Sequence, residues 1–422
     1  MTDLFAPVTR DERQDQAIHN WVKAKGHGTI VAATAFGKTR TAIKVIQRLR
    51  TKKPELSVIV AVPTEVLKDQ WNTELDKWGL GFNTEVQIMM GASKKHFECD
   101  LLVIDEAHRV NSEQLSNLLQ NTKFKLILGL TATFERLDGR HEILAKYAPV
   151  CDTITVQDAL LNGWVSKYDD YVVVLNVPDI ETYRGYNKEF VAHFEFFNFD
   201  WNLVMSLIGK DGFKNRAKLR DEICQDPDKK KDVFKQITYH ATAFMQALQN
   251  RKKFIANHPE KIRVAQEIIK ARTNSKIITF SSNVKMAEAI GTGYIYTGRE
   301  GKAKNRLTLE EFAKLPSGVL NSCKLAEEGL NLPDLSVGIM LGVNSSKTKS
   351  IQTLGRVIRL SKDKHAEFFT IIIADTVESE WMKKSRSDNN FTIIDEENLL
   401  KVLKGEPFEP YKQKLQNFTY RF

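Results

Sequence analysis

The chain has 422 residues, a formal net charge of +9, 42% hydrophobic and 27% charged residues, and a pI near 9.1. Those values fit a globular protein of two to three domains, with a core large enough to need no disulfide or metal staple. Four dispersed cysteines (Cys99, Cys151, Cys224, Cys323) make no C-x-x-C pair or zinc spacing. The amino terminus has no apolar signal region, and no run of about 18 apolar residues occurs. Secreted, zinc-ribbon and membrane-spanning classes are set aside, and a reduced cytoplasm, bacterial or that of a phage-infected host, is expected.

In chain order, near-continuous apolar runs stand at "TIVAA" (29–33), "SVIVAV" (57–62), "LLVI" (101–104) and "KLILGL" (125–130). Strands buried on both faces of a parallel sheet read this way. Between the first two, Ala42, Val45, Ile46 and Leu49 recur at i, i+3, i+4, i+7, one face of a helix. Strand and helix in alternation predict an α/β domain. The pattern stops near residue 175 and resumes at "KIITFS" (276–281), "GYIY" (293–296), "VLNSC" (319–323), "SVGIML" (336–341) and "EFFTIIIA" (367–374). A second parallel α/β domain is predicted, with a mostly helical segment between the two.

Most of the net positive charge lies in this part of the chain. Residues 201–275 contain sixteen Lys/Arg against eight Asp/Glu, which permits a polyanionic partner. The runs "DKKKD" (228–232) and "RKK" (251–253) suit phosphates or solvated helix ends equally. Phe190, Phe194, Phe197 and Trp201 are spaced 4, 3, 4, as if on one helix face. Such a stripe could stack bases, but a packed face is the favoured reading.

The stretch "AATAFGKT" (32–39) follows the first strand and precedes the amphipathic helix. A phosphate-binding loop must sit there, because backbone N–H groups and the helix N-terminus cradle the anion. Lys38 would reach the β- and γ-phosphates, and Thr39 would hold Mg²⁺ through its hydroxyl. Asp105, just past the run 101–104, would hold the same ion, and Glu106 would orient and deprotonate the attacking water. Alone, each signal has a plainer explanation: a chance Gly-Lys-Thr, or acids that complement a helix dipole. In "SIQTLGRVIRL", Arg356 and Arg359 are three apart and project from one helix face. With Gln352 they could stabilise charge on a transferring phosphoryl group.

In this order the residues resemble the superfamily 2 helicases and translocases of the DEAH-box type, over about residues 10–375. "RQDQAI" resembles the Q motif, which implies an adenine contact for Gln14. "AATAFGKT" resembles motif I, with Thr34, Gly37, Lys38 and Thr39 at the nucleotide. Ala35 replaces a usual glycine, and beside bulky Phe36 it predicts modest nucleotide affinity. "AVPTEVLKDQW" resembles motif Ia, placing Pro63 and Thr64 along a nucleic-acid backbone. "VIDEAH" resembles motif II, and "GLTATFERLDG" motif III, with Thr131 and Thr133 coupling hydrolysis to the strand site. "ITFSS" resembles motif IV (Phe280, Ser281), and "YTG" the short motif after it (Thr297, Gly298). "AEEGLNLP" resembles motif V, with Glu328 and Gly329 in place and Asn331 where Asp is usual. "QTLGRVIR" resembles motif VI, giving Arg356 and Arg359 the finger role beside Gln352. The flavour of motifs III and VI resembles the DNA side of the superfamily. That side includes type III restriction motor subunits, the repair helicase of the transcription machinery and phage branch-migration helicases of the UvsW type.

The resemblance implies two RecA-like domains, at 1–170 and 259–405, joined by an accessory segment at 171–258 and followed by a tail at 406–422. It implies an ATP- and Mg²⁺-dependent monomeric motor on single-stranded, forked or branched DNA, with no membrane and no further domain at either end. Three alternatives stay open: an RNA helicase, a duplex-translocating motor subunit of a restriction or remodelling complex, and a nucleic-acid scaffold with a decayed ATPase.

Overall fold

A computed structural model describes residues 8–33, 36–107, 112–132, 141–164, 168–323, 335–343, 365–385 and 391–410. Strands β1 (His27–Ala32), β2 (Val58–Val62), β3 (Thr84–Ile88), β4 (Phe97–Asp105), β5 (Thr122–Thr131) and β6 (Val150–Ile154) form one sheet in the order β3-β2-β4-β5-β1-β6. Strands β7 (Tyr168–Leu175), β8 (Lys276–Ser281), β9 (Tyr294–Tyr296), β10 (Gly318–Cys323), β11 (Val337–Met340), β12 (Ala366–Ile373) and β13 (Thr392–Ile394) form a second, in the order β13-β7-β12-β11-β8-β10-β9. Every pairing in both sheets is parallel. The architecture is two RecA-like α/β domains.

All nine apolar runs are strands. Central β2 and β8 are buried along their whole length, as continuous Val/Ile-rich runs require. Of the strands outside those runs, β3, β6 and β13 lie at edges, and β7 lies inside the second sheet. Only Val86 is fully buried in β3 and only Ile154 in β6, both at the rims of the first sheet. Edge strands can mix polar and apolar residues because one flank is open.

One boundary needs correction. The expected division at residue 170 falls inside β7, which pairs with β12 from Tyr168 to Leu175 and with β13 at Tyr171–Val173. The second domain therefore takes its first strand before the helical excursion. "YVVVL" shows that a buried strand is present, but not which sheet it joins.

The excursion consists of helices Ile180–Glu195, Trp201–Ile208, Gly212–Ile223 and Pro227–Asn257. The last has 31 residues, about 46 Å at 1.5 Å per residue. It opens on Asp226 as N-cap, with Pro227 in the first turn, where a missing N–H costs nothing. It runs antiparallel to Ile180–Glu195: Tyr183 meets Phe254, Phe190 meets Phe244, and His193 meets His240. The arm is rooted on the second domain, where the Tyr183 hydroxyl accepts from the Val377 N–H at 3.0 Å and Arg184 pairs with Asp375 at 2.7 Å.

The aromatic stripe is mostly core, as favoured. Phe190, Phe194 and Phe197 are buried with Val204, Leu207, Ile237 and Phe244. The shared-face expectation fails at its end, because the helix stops at Glu195 and Trp201 begins the next one. Asn198 and Phe199, both in the left-handed region, make the turn between. Among the described residues, no helix is long and apolar enough to cross a membrane.

Candidate nucleotide site

The site is built at the carboxyl edge of the first sheet, where ligands of parallel α/β sheets bind. β1 and β4 flank β5, so the loop leaving β1 and the acids ending β4 are brought to the same edge. Gly37 caps the helix Lys38–Lys52 at φ +95°, with no side chain closing the helix N-terminus. The first N–H groups of that helix are thus left for an anion. Only glycine adopts this φ readily, and a Cβ here would lie 2.8 Å from the Gln14 amide nitrogen.

Lys38 is buried, and its Nζ stands 3.4 Å from the Ala32 carbonyl and 3.5 Å from Glu106 Oε1. The cation thus bridges the exit of β1 and the exit of β4. Asp105 is the last residue of β4 and 3% exposed. Its Oδ1 accepts from the Glu106 N–H at 2.9 Å, and its Oδ2 from the Trp71 indole N–H at 2.8 Å. Burial pushes the Asp105 carboxyl up to about 6, helped by the Glu106 charge and opposed by Trp71 and Lys38. Glu106 adopts φ +49°, an uncommon backbone for a non-glycine residue and one that clusters at functional sites. The Asp105 carboxylate and the Thr39 hydroxyl are hard oxygen donors, the type Mg²⁺ takes in nucleotide sites.

Gln14 is buried, and its Nε2 donates to the Phe36 carbonyl at 3.1 Å, so it holds the loop that leaves β1. Its helix, Arg10–Lys23, starts with a reciprocal Thr9–Glu12 capping box. Arg13 clasps Asp152 through two bonds of 2.6 and 2.8 Å, and Lys44 reaches back to Asp11 and Asp15. The expected crowding from Phe36 needs correction. Its ring is fully buried, 5.6 Å from that of Trp164, so its bulk enters the core.

Pro63 and Thr64 are half-buried at the exit of β2, and Thr64 caps the helix Glu65–Lys77 by accepting from the Leu67 N–H at 3.3 Å. Thr131 ends β5 and is buried. Phe280 and Ser281 end β8 and are buried, as is Thr297 beyond β9, whereas Gly298 is exposed. Thr34, Thr133, Glu328, Gly329, Asn331, Gln352, Arg356 and Arg359, like Ala35, lie outside the described residues. The sequence reading gave Trp71 no role, although it ends the quoted motif Ia. The available signal was chemical: a buried indole needs an acceptor for its N–H.

Comparison with known proteins adds the family context. Residues 8–100 and 86–136 match the family model described as "Type III restriction enzyme, res subunit", and residues 260–361 match "Helicase conserved C-terminal domain". The DNA 3'-5' translocase XPB2 of Sulfurisphaera tokodaii is 26% identical over 395 residues, covering 88% of this chain and 83% of the relative. Putative helicase 22 of a Sulfolobus islandicus filamentous virus is 23% identical over 399 residues, covering 85% of this chain and 63% of the relative. The crystal structure of the Pyrococcus furiosus Hef helicase domain aligns with a TM-score of 0.51 at 18% identity, covering 90% of this chain and all of that one. The ATP-dependent Type ISP restriction-modification enzyme LlaBIII bound to DNA aligns with a TM-score of 0.56 at 12% identity, covering 93% of this chain and 31% of that one. At such identities the two structural likenesses bear on the fold alone.

Proposed function

The chain belongs to the superfamily 2 helicases and translocases, and we propose that it is an ATP-driven motor of the DEAH-box type that acts on DNA, including forked or branched DNA. The observation that carries this reading is the Lys38–Glu106 approach of 3.5 Å beside buried Asp105. It supports the reading by bringing an ammonium group and two carboxylates to one sheet edge, the groups needed for a phosphate contact, a metal ligand and a base.

The uncapped helix N-terminus and Lys38 hold the β- and γ-phosphates. Thr39 and Asp105 would hold Mg²⁺, which would supply positive charge to offset that of the phosphates. Glu106 takes the proton of the attacking water, and its contact with Lys38 loosens as the cation turns to the phosphates. Arg356 and Arg359 supply positive charge from the second domain, and Gln352 a neutral hydrogen-bonding amide beside them. Gln14 steadies the loop through Phe36 and contacts adenine. The strand runs over Pro63 and Thr64 in the first domain and over Phe280, Ser281, Thr297 and Gly298 in the second, mostly through phosphates, so sequence preference is weak. With Phe280, Ser281 and Thr297 buried, contact there falls to backbone groups and exposed Gly298. The basic helical arm, rooted on the second domain, grips duplex or a junction.

One relative favours the DNA reading by its name, a DNA 3'-5' translocase. Arg359→Ala tests the finger: it binds ATP and turns over slowly, and normal turnover would remove the role. Strand separation on forked DNA distinguishes a helicase from a duplex translocase, which displaces a triplex strand without unwinding.

A further inference from the structure

Three buried tryptophans of the first domain each place the indole N–H on an acceptor, and the acceptors differ. Trp21 donates to the Ile127 carbonyl at 2.9 Å, and Trp164 to the Val8 carbonyl at 2.7 Å. These are the ordinary solution for a buried indole, a backbone oxygen close by. Trp71, 1% exposed, instead donates to the Asp105 carboxylate. A carboxylate is costly to bury unless each oxygen is satisfied. Here Trp71 holds Oδ2, and the Glu106 backbone holds Oδ1. The carboxylate plane is thereby fixed by one donor from its own turn and one from another helix.

That helix is Glu65–Lys77, whose N-cap is Thr64. Trp71 lies seven residues on, about 10 Å along the axis at 1.5 Å per residue. Leu67, Trp71 and Leu75 are its buried residues, so the helix is seated on the core as a rigid body. One end carries the residues assigned to the nucleic-acid strand, and its middle grips the carboxylate assigned to Mg²⁺. A shift of Thr64 on strand binding reaches Asp105 through a single packed helix.

We propose that Trp71 is a positioning residue for the metal site, which fixes Asp105 Oδ2 and links the strand-binding end of motif Ia to the nucleotide. The inference rests on the motor reading above. It concerns a residue that touches neither the strand nor the nucleotide in that reading.

The test is equilibrium binding of a fluorescent non-hydrolysable ATP analogue to wild-type protein and Trp71→Phe, in EDTA and across a Mg²⁺ titration. Steady-state ATP hydrolysis with and without single-stranded DNA runs beside it. The expected result is unchanged binding in EDTA and a rise of about tenfold in half-saturating Mg²⁺, the scale of one hydrogen bond to a charged group. kcat falls at saturating metal with KM preserved, and DNA stimulates less. If Trp71→Phe fails to fold, a benzothienyl analogue of tryptophan at position 71, which keeps the bicyclic shape and lacks the N–H, serves in its place. Wild-type Mg²⁺ dependence and DNA stimulation in a folded variant would overturn the proposal and make Trp71 a core residue only. Wild-type protein that binds the analogue no better with Mg²⁺ than with EDTA would instead bring down the motor reading, and the proposal with it.

Discussion

Lys261→Met should destabilise the second domain strongly, and more so at neutral than at acid pH. Lys261 and Glu378 are both fully buried, with Nζ 2.7 Å from each carboxylate oxygen. Glu378 also accepts from the Val343 N–H at 3.3 Å and the Ile373 N–H at 3.1 Å. It ties together the exits of β11 and β12 and the helix Pro259–Ala271. Methionine keeps the apolar stem and removes the ammonium, while the two backbone donors hold the carboxylate in place. Removing one partner of such a pair leaves an uncompensated buried charge, at a cost of about 3–5 kcal/mol. Burial pushes Glu378 up and Lys261 down, and Lys261 pulls Glu378 back towards its ordinary value of 4.5. Without the lysine, Glu378 binds its proton more tightly when folded than when unfolded. A carboxyl raised in this way favours folding below its unfolded value and loses that contribution as pH rises through the folded value. The deficit of the variant therefore shrinks towards pH 4.5 and grows as pH rises above it. Urea unfolding followed by circular dichroism, at about pH 5 and about pH 8, measures it. Adding Glu378→Gln should recover only part of the loss, since it removes the buried charge but leaves one oxygen where two accept separately from the Val343 and Ile373 N–H groups. A loss below about 1 kcal/mol at neutral pH, or an equal loss at both, would refute the reasoning.

Two further perturbations probe the loop and the arm. Gly37→Ala places a Cβ on a φ of +95° and 2.8 Å from the Gln14 amide. It should cost about 1–2 kcal/mol and weaken nucleotide binding, read by thermal melting and analogue titration, and unchanged binding would contradict the assigned loop geometry. Phe244→Ala removes a fully buried ring that meets Phe190, Phe194 and Trp201 at 4.9, 5.1 and 5.9 Å. It should cost the arm about 3–5 kcal/mol, visible as faster hydrogen exchange over 180–257. Tyr239→Ala, at a side chain 62% exposed, should change stability by less than about 0.5 kcal/mol. Equal effects would contradict a packed stripe.

The central strands were legible because a parallel sheet buried on both faces leaves nothing but apolar residues to read, as in "VIVAV" and "KIITFS". β3 and β6 were not legible, because one open flank lets "TEVQI" and "VCDTI" carry polar residues. The placement of β7 was illegible for another reason: an apolar run does not encode which strand it pairs with, and its partners β12 and β13 come 198 and 221 residues later. At the site, Lys38, Asp105 and Glu106 follow from motif and strand order. The left-handed backbone of Glu106 and the bond from Trp71 do not, since both depend on how β4 and a neighbouring helix meet in space. The aromatic spacing of the arm was read as one face across a turn that breaks it at residues 196–200, where positive φ at Asn198 and Phe199 has no marker such as glycine.

Steady-state ATP hydrolysis by the purified protein tests the central claim most directly, without nucleic acid and then with single-stranded DNA, forked DNA or RNA, with Lys38→Ala in parallel. The motor reading predicts Mg²⁺-dependent hydrolysis stimulated by DNA above RNA, most by forked DNA, and no turnover in a Lys38→Ala protein that still folds. DNA-stimulated hydrolysis surviving in Lys38→Ala would contradict the site, and hydrolysis absent under every condition would leave a nucleic-acid scaffold in place of a motor.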